Sequence, residues 1–238
     1  MIKKLNISLC LIVKNEIEGC KHDIPLIPKN AFDEIIAIDG GSTDGTVNYL
    51  INNNIKVYNQ KIKGLNNAYL EANEKAINEN VIVFFPKKSL DPKIVLEFKK
   101  YFETNHDLII ASRMLKNSKN EEDNKIFKYR KWSTILLSYL VSFVWKKNGN
   151  SIKDILHGVK GWKKDSFKKM VLQNKGLTID LEMVIQSYKL KINRIEFPVK
   201  EIEIRGRKTN FPFWSTGLKL LKFLVYEIFN WNKNSGGN

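Results

Sequence analysis

Cysteine is scarce in this chain of 238 residues, which contains two, Cys10 and Cys20. They lie close together in the sequence, but their surroundings match no metal-binding pattern. Free thiols are typical of reducing compartments. We therefore expect a cytoplasmic protein whose two cysteines are unpaired.

Long apolar runs are also missing. No segment reaches the ~18 uncharged apolar residues of a membrane-spanning helix. The longest candidates are Trp132–Trp145, which is short, and Phe213–Trp231, which is interrupted by charges. The first residues, Met1 to Lys4, lead into a short strand-like run rather than the apolar core of a signal peptide. We expect a protein that is peripheral on a membrane rather than inserted in it.

Acidic residues are few relative to basic ones: 25 against 40, for a formal net charge of +15 and a pI near 9.6. This balance favours anionic partners such as nucleotide phosphates and acidic lipid headgroups. A nucleic acid is not predicted as a partner, because the sequence has neither an aromatic stacking motif nor a recognition-helix pattern. The length suits one large domain, or a domain with an appendage.

A strand, a turn and a helix start are predicted within Ile35–Thr46. Apolar residues lead to Asp39, two glycines follow, and Ser42 to Asp44 precede a helical pattern. A carboxylate at this position, at the end of a parallel strand, could accept hydrogen bonds from a base or ribose. The alternative is that Asp39 and Asp44 only shape the turn.

Strands and helices alternate along the rest of the chain, which predicts an α/β fold with a mostly parallel sheet flanked by helices. Charge dominates Met114 to Lys131, where we expect a flexible basic loop. Asp91 and Pro92 predict a helix start. The other predicted strands are Leu5–Val13, Ile55–Tyr58, Val81–Phe85, Leu108–Ser112 and Ile192–Phe197, and the other helices are Val47–Ile51, Gly64–Asn78, Trp132–Trp145 and one that starts at Leu181.

Three blocks carry a family resemblance: Ile7–Glu16, Ile35–Thr46 and Lys63–Leu70. In this order and spacing they resemble glycosyltransferase family 2, which has the GT-A fold. Gly64 to Tyr69 approximates the GlyLeuGly-x-AlaTyr block of dolichyl-phosphate mannosyltransferase-like members. Asp154 to Gly158 is similar to the family's Asp-x-x-Ser-Gly-Phe block, with His157 and Val159 as departures.

The resemblance implies inverting transfer of a hexose from a UDP- or GDP-linked sugar to a polyprenyl (dolichyl-type) phosphate. A glycan or protein acceptor, and a non-catalytic nucleotide-sugar-binding protein at a membrane, are the alternatives. The residues that the resemblance assigns to the donor are Ile12, Lys14, Asn15, Glu16, Asp39, Gly41, Ser42, Lys63, Gly64 and Asn67.

The family's metal-binding Asp-x-Asp motif is absent after the fourth strand, where Pro86, Lys87 and Lys88 stand instead. A divalent ion, Mg²⁺ or Mn²⁺, is thus left open as a cofactor, but its usual acids are gone; Asp91 is expected to cap a helix. One explanation is that a lysine replaces the ion, with Lys88 the first choice and Lys87 the second. The other is that catalysis has been lost.

A phosphate acceptor needs no general base, because it is already anionic. Basic positions similar to those that the family uses near the acceptor are Arg113, Arg130, Lys131, Arg205, Arg207 and Lys208. Arg113 and Arg130 are also assigned to catalysis. Each of these side chains, taken singly, could equally be a solvated surface charge.

The C-terminal segment Phe213–Trp231 is predicted to be an amphipathic helix. The apolar side of this helix consists of Trp214, Leu218, Leu221, Leu224, Val225, Ile228 and Trp231. Such a helix suits a membrane interface. Packing on the protein's own core, or on a second copy in a homo-oligomer, is the alternative. We therefore divide the chain into a GT-A-like domain over residues 1–210 and an interfacial helix and tail over 211–238.

Overall fold

A computed structural model describes residues 5–204 and 212–235. Strands and helices alternate through most of this part of the chain. The strands are Ile7–Val13 (β1), Glu34–Asp39 (β2), Lys56–Asn59 (β3), Asn80–Phe84 (β4), Leu108–Ser112 (β5), Lys160–Lys163 (β6) and Arg194–Pro198 (β7). The helices are Ile17–Asp23 (α1), Thr46–Asn52 (α2), Leu65–Lys75 (α3), Glu97–Glu103 (α4), Tyr129–Trp145 (α5), Lys164–Lys168 (α6), Ile179–Lys189 (α7) and Phe213–Ser235 (α8).

The strands form one sheet in the order β3-β2-β1-β4-β6-β5-β7. All neighbours are parallel except β6, which runs antiparallel to both β4 and β5. Every residue of β1, β4 and β5 is buried. Strands buried on both faces read as continuous apolar runs, which is why these three are recognisable in the sequence. The predicted α/β fold with a mostly parallel sheet is confirmed.

Strand β6 was not predicted from the sequence. Its residues, Lys160 to Lys163, begin and end with lysine, a composition that favours a surface turn. Lys160 is nevertheless fully buried, because its ammonium group pairs with Asp180 at the start of α7. Asp180 lies 20 residues away in the sequence, and the pair offsets the cost of burying the lysine charge. A pattern of neighbouring residues cannot predict such a contact.

The segment predicted as a flexible basic loop is partly ordered by its polar residues. Asn120 and Glu122 are buried, and Glu122 Oε2 accepts a hydrogen bond from the Lys131 backbone N–H at 3.0 Å. Lys119 pairs with the chain after β7, since its N–H donates to Val199. Helix α5 begins at Tyr129, three residues before the predicted start, so the charged segment is shorter than expected.

Helix α8 packs on the same core as α5 and α7. Leu220, Phe223 and Leu224 are buried in that core, and Lys189 of α7 pairs with Glu227. Of the residues predicted on the apolar side of this helix, however, Trp214, Leu218, Leu221 and Val225 remain exposed. Helix α8 therefore has one side that packs on the protein's own core and another, apolar side that is exposed. The predicted domain boundary at residue 210 lies outside the described residues.

None of the helices in residues 5–204 and 212–235 is long and apolar enough to cross a membrane.

Candidate active site

The loops that follow β1, β2, β3 and β4 meet at one edge of the sheet. Val13 pairs with Asp39, Asp39 pairs with Asn59, and Leu11 pairs with Phe84. These parallel registers bring the carboxyl ends of the four strands together, where open α/β sheets bind ligands. The predicted donor residues therefore lie around a common edge.

Asp39 shapes the turn that follows β2. Its buried carboxylate accepts hydrogen bonds from the Gly41 and Ser42 backbone N–H groups, both at 2.9 Å, and from the Ser42 hydroxyl at 2.5 Å. Asn15 ties this turn to the end of β1, because its side chain accepts from the Thr43 N–H at 2.8 Å. The turn-shaping alternative is thus realised, and a donor contact through Asp39 stays a prediction.

The other donor positions on β1 and the β2 turn differ in accessibility. Ile12 and Glu16 are buried, and the Glu16 N–H donates to the Thr46 hydroxyl at 2.9 Å. Lys14 and Gly41 are exposed at the edge, and a Cβ on Gly41 would meet nothing within 4 Å. Lys14 and the Gly41 backbone are therefore positioned to contact a ligand, whereas Ile12 acts through packing.

The amino end of α3 is held by a loop that the sequence did not single out. Gly64 has φ of +129°, and a Cβ there would lie 2.8 Å from the Gly176 carbonyl oxygen. That carbonyl also accepts the Asn66 N–H at 3.2 Å. Asn67 turns inward and accepts from the Ile62 N–H, while Lys63 is exposed. Gly176 therefore occupies part of the helix end beside the predicted donor residues Lys63, Gly64 and Asn67.

Asn66 anchors this arrangement and was also missed. Its buried amide donates to Glu182 at 2.8 Å and accepts from the Ile179 N–H at 3.0 Å. Burial raises the pKa of Glu182, and hydrogen bonds from Thr178 and Asn66 oppose this shift. The bonds join the first turns of α3 and α7. Asparagine at the start of a helix carries no sequence signal for such a contact.

The turn after β4 separates Lys87 from Lys88. Lys87 lines a large cavity, and its Nζ lies 4.7 Å from the centroid of the Phe85 ring. Lys88 has φ of +62° and extends toward α1, where its Nζ lies 3.5 Å from Glu18 Oε2. Lys88 was the first choice from the sequence for the ion-replacing lysine. The structure instead places Lys87 at the cavity wall.

Helix α1 holds this turn through Gly19 and Asp23. The buried Asp23 carboxylate accepts the Lys88 N–H at 3.0 Å. A Cβ on Gly19 would lie 1.9 Å from the Pro86 carbonyl oxygen. Only glycine leaves room for this close approach of backbone to backbone.

Gly19→Ala should therefore displace the turn that carries Lys87. Overpacking of this kind costs about 1–3 kcal/mol. Denaturant unfolding should show a lower midpoint for this variant. The matched control is Gly217→Ala in α8, where a Cβ would meet nothing within 4 Å; there we expect no loss, or a gain below about 1 kcal/mol. Equal midpoints for Gly19→Ala and wild type would contradict the tight packing.

The cavity beside Lys87 has a volume of about 740 Å³. Its inner wall includes Phe85, His157 and Asp180, and its outer walls are side chains of α5 and α8. Tyr129 of α5 and Phe213 of α8 meet edge to face there, with ring centroids 4.8 Å apart. The cavity thus connects the carboxyl edge of the sheet with the two apolar helices.

His157 and Asp180, which line the cavity, are hydrogen-bonded to two buried polar residues, Lys160 and Tyr69. Lys160 donates to the Asp180 carboxylate and to the His157 carbonyl, and the Tyr69 hydroxyl donates to Gly158 and Asp180. Burial lowers the pKa of Lys160, and the Asp180 carboxylate opposes this shift. Burial raises the pKa of Tyr69. His157 and Tyr69 were named within the family blocks, but their contacts with Lys160 and Asp180 were not predicted from the sequence.

His157 has a defined tautomer in this cluster. Its Nδ1 lies 2.5 Å from the Ala111 carbonyl oxygen, so Nδ1 carries the proton and Nε2 is the acceptor of the neutral ring. Burial, helped by the nearby Arg113 cation, lowers the pKa of His157. The imidazole is therefore neutral near pH 7.

Arg113 was assigned to the acceptor phosphate and to catalysis, but the structure gives it two carboxylate partners. Its Nε and Nη2 atoms contact both oxygens of Asp154 at 2.8 and 2.9 Å, and Nη1 contacts Glu201 at 2.9 Å. Burial alone would raise the pKa of Asp154, but the guanidinium outweighs it and holds that pKa at about 2. Although Arg113 borders the cavity, its charge is balanced.

The remaining acceptor candidates divide into two groups. Arg130 and Lys131 line the cavity, and Lys131 pairs with Asp123. Arg205, Arg207 and Lys208 lie outside the described residues. A phosphate at the cavity mouth would therefore meet Arg130 and the Lys131–Asp123 pair.

The residues present do not fit a divalent ion. No group of three or more His, Cys, Asp or Glu side chains in the described part of the chain is arranged to hold one. Asp91, the acid nearest the predicted position, accepts the Lys93 N–H at 2.9 Å and caps the short 3₁₀ helix Pro92–Leu96. Mg²⁺ needs several oxygen ligands in octahedral geometry, and the turn after β4 does not supply them.

Comparisons with known proteins agree with this fold. Structures similar to this chain include glucosyl-3-phosphoglycerate synthase from Mycobacterium tuberculosis in complex with UDP, at a TM-score of 0.71 and 15% identity over 94% of this chain and 80% of that chain. The complex of the same enzyme with Mn²⁺, UDP and phosphoglyceric acid has a TM-score of 0.73, at 15% identity over 94% and 78%. Its complex with Mn²⁺ and UDP-glucose has a TM-score of 0.67, at 17% identity over 90% and 74%. No curated protein sequence matches this chain.

The sequence itself identifies the family. Residues 13–170, which include all four loops at the carboxyl edge of the sheet, match the family described as "Glycosyl transferase family 2". This match does not extend to the dolichyl-phosphate mannosyltransferase-like subtype, which stays a prediction. The match covers more than half of the chain, and the fold is GT-A-like. The chain therefore belongs to glycosyl transferase family 2 and is a glycosyltransferase.

Proposed function

We propose that this enzyme transfers a hexose from a nucleotide sugar to a polyprenyl phosphate at a membrane face. The observation that carries the proposal is the cavity of about 740 Å³ that leads from Lys87 and His157 to the apolar helices α5 and α8. Nucleotide-sugar use is supported by the family and by the complexes of its structural neighbours with UDP and UDP-glucose.

The donor end of the site is formed by the loops at the carboxyl edge of the sheet. Lys14 and Gly41 are exposed there, and Asn15 and Ser42 fix the turn between them. We propose that the base and ribose bind against this turn and that the diphosphate extends toward Lys87. Lys63, Gly64 and Asn67 then border the sugar-diphosphate from the side of α3.

A lipid acceptor is supported by the exposed apolar surface on and around the outer wall of the cavity. We call it the apolar face; it comprises exposed side chains of α5, α8 and the loop before α5. Phe143 is 90% exposed and Trp214 is 82% exposed, values that are unusual for such large apolar groups. Its members are Ile126, Phe127, Trp132, Leu136, Tyr139, Leu140, Phe143, Trp214, Leu218, Leu221, Val225 and Phe229.

The chemistry at the acceptor end suits a phosphate. A phosphate monoester is anionic near neutral pH and can attack the anomeric carbon without a general base. Attack from the face opposite the leaving nucleoside diphosphate inverts the configuration. Arg130 borders the cavity and could hold the acceptor phosphate in line, a role that positioning effects make valuable. The neighbouring enzyme is described in complex with phosphoglyceric acid, which is also a phosphate ester.

The direct test is transfer of radiolabelled glucose from UDP-glucose, or mannose from GDP-mannose, into the lipid phase of vesicles that contain polyprenyl phosphate. We expect label in the lipid phase with one donor and none without polyprenyl phosphate. Phosphoglyceric acid, a free glycan and a peptide serve as competing acceptors. Product only with one of these would refute the lipid acceptor, and no product with any would favour a non-catalytic protein.

The apolar face should bind membranes through its aliphatic side chains. Deleting α8 is unsuitable as a test, because Leu220, Phe223 and Leu224 are buried in the core. The variant Leu218→Ser/Leu221→Ser/Val225→Ser leaves that core intact. Each methylene buried in the membrane contributes about 0.8 kcal/mol to binding. This triple variant should therefore lower partitioning into anionic vesicles by about 100-fold or more.

Vesicle flotation measures this effect. The control is Ile77→Ser, an exposed apolar residue whose N–H contacts Glu34 at the amino end of β2, away from α5 and α8. It should float like the wild type. Flotation of the triple variant at the wild-type level, or no flotation of the wild type, would contradict a membrane role for the apolar face.

A further inference from the structure

The turn after β4 presents a lysine where a divalent ion would have to be held. The neighbouring structures contain Mn²⁺ together with UDP or UDP-glucose. In this chain the turn consists of Pro86, Lys87 and Lys88, and Asp91 is engaged as a helix cap. A cation site cannot be built from these groups, because ammonium groups repel the ion and supply no lone pair.

The turn is rigidly positioned. The Lys88 N–H donates to the buried carboxylate of Asp23, and the Pro86 carbonyl lies against Gly19 without room for a Cβ. The positive φ of Lys88 directs its side chain toward Glu18 on α1. Lys87 is thereby left on the cavity wall, next to Phe85. Adjacent lysines thus have different surroundings, which makes each a control for the other.

Three other cations of the cavity wall contact acids. Arg113 contacts Asp154 and Glu201, Lys125 contacts Glu203 at 2.7 Å, and Lys131 pairs with Asp123. Lys87 lies in the turn after β4, close to the carboxyl edge where the donor is proposed to bind. Its ammonium group also lies over the Phe85 ring, 4.7 Å from the ring centroid.

We propose that Lys87 takes the place of the divalent ion and binds the diphosphate of the nucleotide sugar. This inference rests on the proposed function. During transfer, the bond from the anomeric carbon to the diphosphate oxygen breaks and a bond to the acceptor oxygen forms. The electron pair of the broken bond stays on the diphosphate, and the Lys87 ammonium stabilises that charge without giving up its proton. A single charge supplies about half of the attraction of a divalent ion at equal distance.

Calorimetric titration of the full chain with UDP and GDP tests this assignment. Wild-type affinity should agree within about 2-fold between buffer with EDTA and buffer with MgCl₂ or MnCl₂. Lys87→Ala should weaken binding of the preferred nucleotide by about 10-fold or more, and Lys87→Arg, which keeps the charge, should retain most of the affinity. Lys88→Ala, in the same turn, should stay within about 2-fold of wild type because its side chain extends toward Glu18.

The transfer reaction gives a second measurement. Lys87→Ala should slow transfer by about 100-fold, comparable with loss of one preorganised charge-stabilising donor, and added Mg²⁺ should not restore it. Wild-type nucleotide binding that requires metal, or equal effects of Lys87→Ala and Lys88→Ala, would overturn this inference while leaving the proposed function in place. A wild-type chain that binds neither nucleotide in either buffer would overturn both.

Discussion

Arg113→Ala should lower the free energy of unfolding by about 3–5 kcal/mol, the cost of breaking a buried ion pair by removal of one partner. The variant leaves the carboxylates of Asp154 and Glu201 without their shared guanidinium, and Asp154 is fully buried. Urea unfolding at pH 7 measures the loss. Lys100→Ala is the control, since the Lys100–Glu97 pair is exposed to solvent and its loss should leave the unfolding midpoint close to that of the wild type.

The pH dependence of this loss follows from the lowered pKa of Asp154. With a pKa of about 2 in the folded chain and 3.8 as the ordinary value, the ionised Asp154 stabilises the fold above pH 3.8. That contribution disappears as the pH falls toward 2. The difference in stability between wild type and Arg113→Ala should therefore shrink over this interval. A stable Arg113→Ala variant that has lost transfer would instead support the predicted role of Arg113 at the acceptor phosphate.

Lys160→Met should also cost about 3–5 kcal/mol, because it removes the cation that pairs with the buried Asp180 carboxylate. Lys160 is completely buried in β6, and its ammonium group binds both the Asp180 carboxylate and the His157 carbonyl. Methionine keeps an unbranched apolar side chain in the same space. The loss therefore reports the missing charge rather than a large cavity.

A double-mutant cycle isolates the interaction of Lys160 with Asp180. The single variants Lys160→Met and Asp180→Leu should each be strongly destabilised, whereas the double variant should recover most of the lost stability, since no unpaired charge remains. Urea midpoints of the four proteins provide the coupling energy. Additive effects of the two substitutions would contradict a direct pair, and wild-type stability of Lys160→Met would show that the charge is not needed in the core.

Much of the fold could be predicted from local patterns. Leu108–Ser112 was predicted with the bounds that β5 has, and the strand, turn and helix around Asp39 were recognised from their residues. Buried parallel strands are apolar throughout, and turn and cap residues have strong local preferences. The carboxyl edge as the place of the site follows from the same patterns, because parallel strands end on one side.

Tertiary structure alone decided which charged residues face the cavity. Arg113 is paired with acids 41 and 88 residues away, and Lys160 is buried against Asp180. Lys87 and Lys88 are chemically identical neighbours, and the Asp23 carboxylate, 65 residues earlier, sets the backbone that separates them. The sequence by itself determined the family, the sheet and the edge that carries the site, because these depend on local composition and order. The role of each cation depends on long-range partners, since burial makes an unpaired charge too costly to leave in place.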